Sequence, residues 1–194
     1  HNLTDTGPAI IWITEADGHC SYLNKTWYDY TGQTKSEGEG FGWLTATHPD
    51  DAAGAGKAFV EANTEQKPFI YLYRLRVKDG SYRWAKDIGS PRFSADGQYE
   101  GMIGTVVDVH EETIVSSKIK ESEKRFRLLA DTMPQHVWTA DTEGNLNYYN
   151  QSVFDYSGLT LEQINKDGWL QIVHPDDREE NIRQWMESIR AGKD

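Results

Sequence analysis

Apolar and polar positions alternate most regularly over residues 69–77. Phe69, Tyr71, Tyr73, Leu75 and Val77 share one face of a strand; Ile70, Leu72, Arg74, Arg76 and Lys78 share the other. Asp79-Gly80 is a hairpin signal, so 82–90 reads as the next strand; Asp96-Gly97 is a second turn before a strand over 100–109. Upstream, 10–14 is a β-branched and aromatic strand, Asp17-Gly18 a turn and 19–23 a second strand. Asn24 is placed as the N-cap of a short helix through Tyr30, which Gly32 ends. Residues 33–41 are a polar loop with one helical turn, and 42–47 a short aromatic turn. A long helix then runs from Pro49 to about Gln66; proline suits its first position, and Asp50 and Asp51 suit the positive end of its dipole. Residues 1–7 are polar and read as loose. The pattern predicts an α+β fold: a five-stranded antiparallel sheet with helices over one face.

Residues 108–133 break the alternation. Asp108 and Glu111 have capping-box spacing, and Val115, Ile119, Phe126, Leu129 and Met133 recur as a heptad-like stripe on a charged helix. That stripe packs either on a domain surface or against its twin in a dimer. After it the opening text returns. Residues 8–51 and 134–177 align without a gap at an offset of 126, which superposes Trp12 on Trp138, Gly18 on Gly144, Asn24 on Asn150, Gly32 on Gly158 and both H-P-D-D runs. The chain is two copies of one module: 8–110 the first, 111–133 a connector helix, 134–194 the N-terminal half of the second. The counterpart of Pro68, where the three-strand meander begins, is Asp194, so the second copy lacks three strands and the chain reads as a piece of a longer protein.

A net charge of −11, with the cations of the connector interleaved with acids, argues against a nucleic-acid partner. No apolar run is long enough to span a bilayer and no signal peptide is visible. Cys20 stands alone, which leaves no internal disulfide and suits a reducing compartment.

W-I-T-E-A-D-G at 12–18, Y-L-N at 22–24, Y-T-G at 30–32, G-W-L with H-P-D-D at 42–51, Y-R-L-R-V-K-D-G-S-Y-R-W at 73–84 and G-T-V-V-D-V at 104–109 together resemble a PAS domain of the H-P-D-D subgroup. The end at Asp108-Val109-His110 is similar to the D-I-T junction where such domains hand over to a signalling helix. The resemblance implies a non-catalytic, cytoplasmic sensory and dimerisation segment of a prokaryotic signalling protein, whose membrane-anchored or soluble parent is a histidine kinase or a cyclic-di-GMP enzyme. It also implies a homodimer and a downstream signalling domain. A ligand-free interaction scaffold is the alternative, and a metal-dependent enzyme using His48-Pro49-Asp50-Asp51 a third.

The H-P-D-D run is read as helix-start chemistry with a packing histidine, because consecutive residues rarely converge on one ion. Cys20 lies on a strand, whereas the light-sensing branch carries its adduct cysteine in N-C-R-F-L-Q; the matching segment here is G-F-G-W-L-T. Residues 52–67 hold no histidine for haem. A small organic ligand stays open. By resemblance its pocket is the inward sheet face: Trp12, Thr14, Tyr71, Tyr73, Leu75, Ala85, Asp87 and Val106. Asp87 stands out there, since a buried carboxylate needs a partner. A filled core is the other reading of the same residues. The opposite face, with Ile11, Ile13, Ile70, Leu72, Trp84, Ile103 and Val107, is too apolar for water; with Ile119 and Phe126 of the connector it is the candidate dimer interface.

Overall fold

The computed structural model describes residues 9–191. The loose segment expected at 1–7, the proline opening the first module and the end of the second module at 192–194 lie outside the described residues. Contacts divide the chain after Ser116 into two units.

In the first unit β1 (Ile10–Thr14) and β2 (Cys20–Leu23) precede α1 (Lys25–Thr31), α2 (Lys35–Gly38), a 3-10 turn (Gly42–Ala46) and α3 (Pro49–Glu65); β3 (Phe69–Arg76), β4 (Tyr82–Phe93) and β5 (Tyr99–Asp108) follow. The sheet order is β2-β1-β5-β4-β3, with every pair antiparallel. The first strand is thus flanked by its hairpin partner and by the last strand, in register from Ile10↔Val106 to Ile13↔Ile103. Period-2 burial follows: Trp12 is 6% exposed, with Ile10 and Thr14 buried beside it, while Ile11 and Ile13 are half-buried on the other face. From α3, spacing of four and three places Ala55, Phe59 and Ala62 on the sheet side, all buried. Phe59 meets Trp12 at 6.1 Å, Trp43 at 5.9 Å and Phe69 at 6.2 Å between ring centroids. Burying such a ring contributes roughly 1.5–3 kcal/mol. The indole has room only because residue 104 is glycine: a Cβ there would lie 2.3 Å from Trp12 Cζ2.

Three local expectations change. The strand expected over 82–90 does not stop at Ser90: as β4 it continues through Pro91 to Phe93. β3 pairs with β4 only as far as Phe69↔Gly89, so beyond that point β4 has β5 alone beside it, and an edge tolerates a residue without an N–H. Asn24 precedes α1 but makes no side-chain cap bond. Instead its Oδ1 accepts from Ile11 N at 3.0 Å and its Nδ2 donates to Ala9 O at 2.9 Å, clasping the start of β1. The capping box at Asp108 is also replaced: Asp108 Oδ1 accepts from His110 N at 2.9 Å, and Glu111 accepts from Arg83 at 3.4 Å.

The connector is one helix, α4 (His110–Thr132), whose sequence crosses the division between units. In the second unit β6 (Trp138–Ala140) and β7 (Leu146–Tyr149) form a two-stranded sheet. α5 (Gln151–Ser157), α6 (Leu161–Asp167), two 3-10 turns (Trp169–Ile172 and Pro175–Asp177) and α7 (Arg178–Ala191) follow. The offset of 126 holds bond by bond. Asn150 Oδ1 accepts from Val137 N at 2.9 Å and its Nδ2 donates to Gln135 O at 2.9 Å, as Asn24 does. Gly158 at φ 69° ends α5 in the left-handed region, as Gly32 at φ 75° ends α1. No helix among the described residues is long and apolar enough to cross a membrane.

Candidate functional site

The sheet's inward face and the helices of the first unit enclose a cavity of about 20 Å³ lined by Trp12, Thr14, Cys20, Leu23, Trp27, Trp43, Phe59, Tyr73, Asp87 and Val106. A space of that size holds about one water molecule. Register brings its polar residues together: Asp87 on β4 is opposite both Tyr71 on β3 and Val106 on β5. Trp12 Nε1 donates to Asp87 Oδ1 at 2.8 Å, and Tyr73 donates its hydroxyl hydrogen to the same carboxyl. Burial pushes Asp87 up to about 7, against the opposing pull of the Trp12 and Tyr73 bonds. Burial likewise drives Tyr73 well above the ordinary phenol, with Asp87 adding to it. Cys20, pushed by burial up to about 11, is a thiol whose Sγ lies 3.5 Å from Tyr22 O. Thr14 Oγ1 accepts from Met102 N at 2.9 Å. The arrangement can hold or release one proton at Asp87 inside an aromatic box.

Of the residues expected to line a pocket, Trp12, Thr14, Tyr73, Asp87 and Val106 do so. Leu75 and Ala85 are buried in the core without lining the cavity, and Tyr71 is half-buried beside α3, where a Cβ on Gly54 would come within 2.3 Å of its hydroxyl. Missed were Trp27, Trp43 and Phe59 on the helical side. The spacing of Ala55, Phe59 and Ala62 along α3 is the signal that puts Phe59 on the sheet side, and it went unread. Gln33 was also missed, in what looked like a loop. It is buried, accepts from Trp27 Nε1 at 2.9 Å and donates to Thr45 Oγ1 at 2.9 Å, tying α1 to the 3-10 turn.

His48-Pro49-Asp50-Asp51 opens α3. His48 Nδ1 accepts from Asp50 N at 3.2 Å and its ring packs on Tyr82 at 4.6 Å. Asp51 accepts from Arg74 three times: from N at 2.9 Å, Nε at 2.8 Å and Nη2 at 2.7 Å. That grip holds the Asp51 carboxyl below its ordinary value and locks α3 to β3.

A second cluster sits where β5 ends. Asp108 Oδ2 accepts from Arg83 Nε at 2.6 Å and from the Tyr30 hydroxyl at 2.7 Å, while Oδ1 takes His110 N. Partial burial works against ionisation, but these donors outweigh it and keep the carboxyl below the usual range. His110 Nδ1 accepts from Trp84 N at 3.2 Å. One side chain thus joins α1, β4, β5 and the first residue of α4. At the far end of α4, within the second unit, Asn150 Nδ2 donates to Ala130 O at 2.7 Å and Asp131 Oδ1 accepts from Gln151 N at 2.9 Å.

The outward sheet face exposes Ile70 (65%), Leu72 (46%), Ile103 and Val107, with Ile11, Ile13 and Trp84 half-buried; Arg74 lies 5.5 Å from the Trp84 ring centre. On α4, Val115, Ile119, Leu129 and Met133 near its end are exposed, and Phe126 packs on Tyr148 at 5.2 Å.

The family model described as the PAS fold matches residues 21–106 and 146–194. The uncharacterized protein y4lL of Sinorhizobium fredii is 32% identical over 177 residues, covering 91% of this chain and 21% of that protein. The two-component sensor PprA of Pseudomonas aeruginosa is 25% identical over 186 residues, 87% of this chain and 19% of the sensor. The peroxide stress-activated histidine kinase mak1 of Schizosaccharomyces pombe is 26% identical over 183 residues, 91% of this chain and 11% of the kinase. The chain therefore spans about a fifth or less of the length of these relatives. Among solved structures, an RNA-binding light-oxygen-voltage receptor superposes with a TM-score of 0.55 at 18% identity, over 62% of this chain and 35% of that one, a likeness of fold.

Proposed function

The chain belongs to the PAS-fold family and is homologous to regions of sensor kinases. From that premise we propose that it is a non-catalytic, cytoplasmic sensory and dimerisation segment of a larger signalling protein, a histidine kinase or a cyclic-di-GMP enzyme. Events in the core of the first module reach α4 through β5. The observation that carries this is Asp108, which binds Tyr30, Arg83 and the N–H of His110 at once. Val106, two residues earlier on the same strand, lines the cavity. A shift of β5 by a fraction of an ångström therefore changes the bond that starts the helix. Subunits pair through the apolar outer sheet face and the α4 stripe, and no charge pattern favours nucleic acid.

The test loosens the strand below the cluster. Val106→Ala should raise hydrogen exchange over 110–120 in the intact chain, and Asp108→Ala should abolish that response. A rise of the same size with and without Asp108, or no rise at all, refutes the relay. A ligand-free scaffold is the second reading, favoured by a cavity with room for about one water. Native mass spectrometry separates the two: a small molecule released from the purified first module supports the sensor, and its absence across purifications supports the scaffold.

A further inference from the structure

β4 and β5 run side by side until their ladder reaches Ala85↔Asp108. The next pair in that register is Trp84 and Val109, at which an antiparallel ladder exchanges two backbone bonds. One of the two is there: Val109 N donates to Trp84 O at 2.9 Å. The return bond, from Trp84 N to Val109 O, is replaced. Val109 O accepts instead from Thr113 N at 2.9 Å, the bond that opens α4, and Trp84 N donates to His110 Nδ1 at 3.2 Å. A side chain thus fills the place of a main-chain carbonyl at the point where strand becomes helix.

That replacement depends on the charge of the ring. An Nδ1 that accepts carries no hydrogen, so the imidazole is neutral with its proton on Nε2; both nitrogens of an imidazolium are donors. Protonated, Nδ1–H would face the Trp84 N–H and leave this partly buried amide without an acceptor, which is costly. The acceptor that the ladder itself supplies is Val109 O. Positive charge on the first residue of α4 also opposes the helix dipole. Charged and titratable groups reach this corner from every element around it. Asp108 of β5 takes His110 N, Glu111 and Glu112 lie in the first turn of α4, and Arg83 of β4 pairs with Asp108 and Glu111. Tyr30 of α1 donates to Asp108, and Arg74 of β3 stands over the Trp84 ring. Glu111, held by Arg83 at only 3.4 Å, is a carboxylate to which an imidazolium can turn.

We infer that His110 is a proton-operated switch on the boundary between β5 and α4. With the ring neutral, the imidazole completes the sheet and Val109 O starts the helix. With the ring protonated, Trp84 N–H takes Val109 O, β5 gains a residue, Thr113 N loses its partner and the first turn of α4 opens. One proton on Nδ1 decides whether Val109 closes the sheet or begins the helix. Histidine suits such a role because its ordinary titration falls between about pH 5 and 8. The switch needs no change in the core of the module, so it stands or falls separately from the relay through β5 and Asp108.

The test is amide exchange over 110–116 in the whole chain at about pH 7.5 and about pH 5.5, corrected for intrinsic rates. On acidification the unmodified chain should lose protection there by about fivefold or more. His110→Asn offers an amide oxygen in place of Nδ1 and gains no proton in this range, so its protection should not change with pH. His110→Ala removes the acceptor and should be open at both values. In nitrogen-15 spectra of the unmodified chain the Trp84 and Thr113 amides should move with the same midpoint as the His110 ring. The other histidines remain in both variants, among them His48, whose ring packs on Tyr82 of β4, so a response of theirs would survive the substitutions. The inference is overturned by an unmodified chain that shows no response, by a response that persists in either variant, or by Trp84 and Thr113 amides whose midpoint differs from that of the ring.

Discussion

Replacing Asp87 by asparagine should make the first module more stable at neutral pH and leave it nearly unchanged in acid. Burial pushes this carboxyl from the ordinary 3.8 up to about 7 in the folded protein, so folding takes up a proton between those values. A folded value above the unfolded one gives stability that is complete below about 3.8 and is lost as pH rises through about 7. A gap of roughly three pH units at about 1.4 kcal/mol each makes the loss about 4 kcal/mol. That is an upper limit, since the adjoining cavity of about 20 Å³ has room for one water to solvate the carboxylate. Asparagine keeps the shape, accepts from Trp12 Nε1 and cannot ionise. At about pH 8 the Asp87→Asn protein should therefore exceed the unmodified chain by up to about 4 kcal/mol, and at about pH 4 the two should agree within about 1 kcal/mol. Hydrogen exchange of peptides from β4 in the intact chain, corrected for intrinsic rates, measures the opening free energy of this module by itself. A difference between the two proteins that is constant across pH, or an asparagine variant that is weaker throughout, would refute a neutral buried Asp87.

Asp51→Asn should cost stability at neutral pH and cost little in strong acid: the Asp51 value is lowered in the fold by Arg74, so its contribution is present above about 3.8 and disappears as pH falls through the folded value, which paired urea titrations would read. Gly104→Ala should destabilise by about 1–3 kcal/mol or more because its Cβ would sit 2.3 Å from Trp12 Cζ2. Gly56→Ala, inside α3 with its Cβ 3.5 Å from Leu44, should stabilise by about 0.5–1 kcal/mol, and thermal melts that moved both glycine variants the same way would contradict the packing described. Ile70→Asp with Leu72→Asp on the outer face should leave a folded monomer where the unmodified chain is a dimer, and light scattering showing the unmodified chain already monomeric at high concentration would end that proposal.

The strands themselves and the inward direction of Trp12 and Asp87 were legible because period-2 alternation is local and a slip by one residue would turn every side chain over, whereas the strand order, with β1 beside β5, joins residues far apart in sequence and was not read. The turns were legible for a similar reason: Gly18, Gly32, Gly80 and Gly97 take positive φ, which few other residues accept. The contents of the cavity were less so. Whether Tyr71 or Phe59 reaches it depends on how α3 lies on the sheet, and no single stretch of sequence carries that. Gln33 was read as surface because a polar residue in a polar loop gives no sign of the partners, Trp27 and Thr45, that folding brings to it. Asn24 was read by position, as a residue before a helix, although its bonds run backwards to the strand.

The two copies separate what a local sequence decides from what a complete sheet decides. Their clasps at Asn24 and Asn150, their turns at Gly18 and Gly144, and the backbone bonds at Gly32 and Gly158 agree to within about 0.1 Å. Those bonds form between residues close in sequence, and each copy supplies both ends. Burial does not repeat: the Asn side chains are buried in both units, but the tryptophan two positions past the clasped strand start is buried in one and half-exposed in the other. Its partners in the first unit, Asp87 and Gly104, are 75 and 92 residues away in sequence, on strands of the meander. A module of this kind can therefore form its hairpin and first helix from local bonds. In the first unit the last strand pairs with the first across the core and ends at Asp108, which accepts from the N–H of His110 at the start of α4. Core closure and helix initiation share β5, and the proposed relay rests on that shared strand.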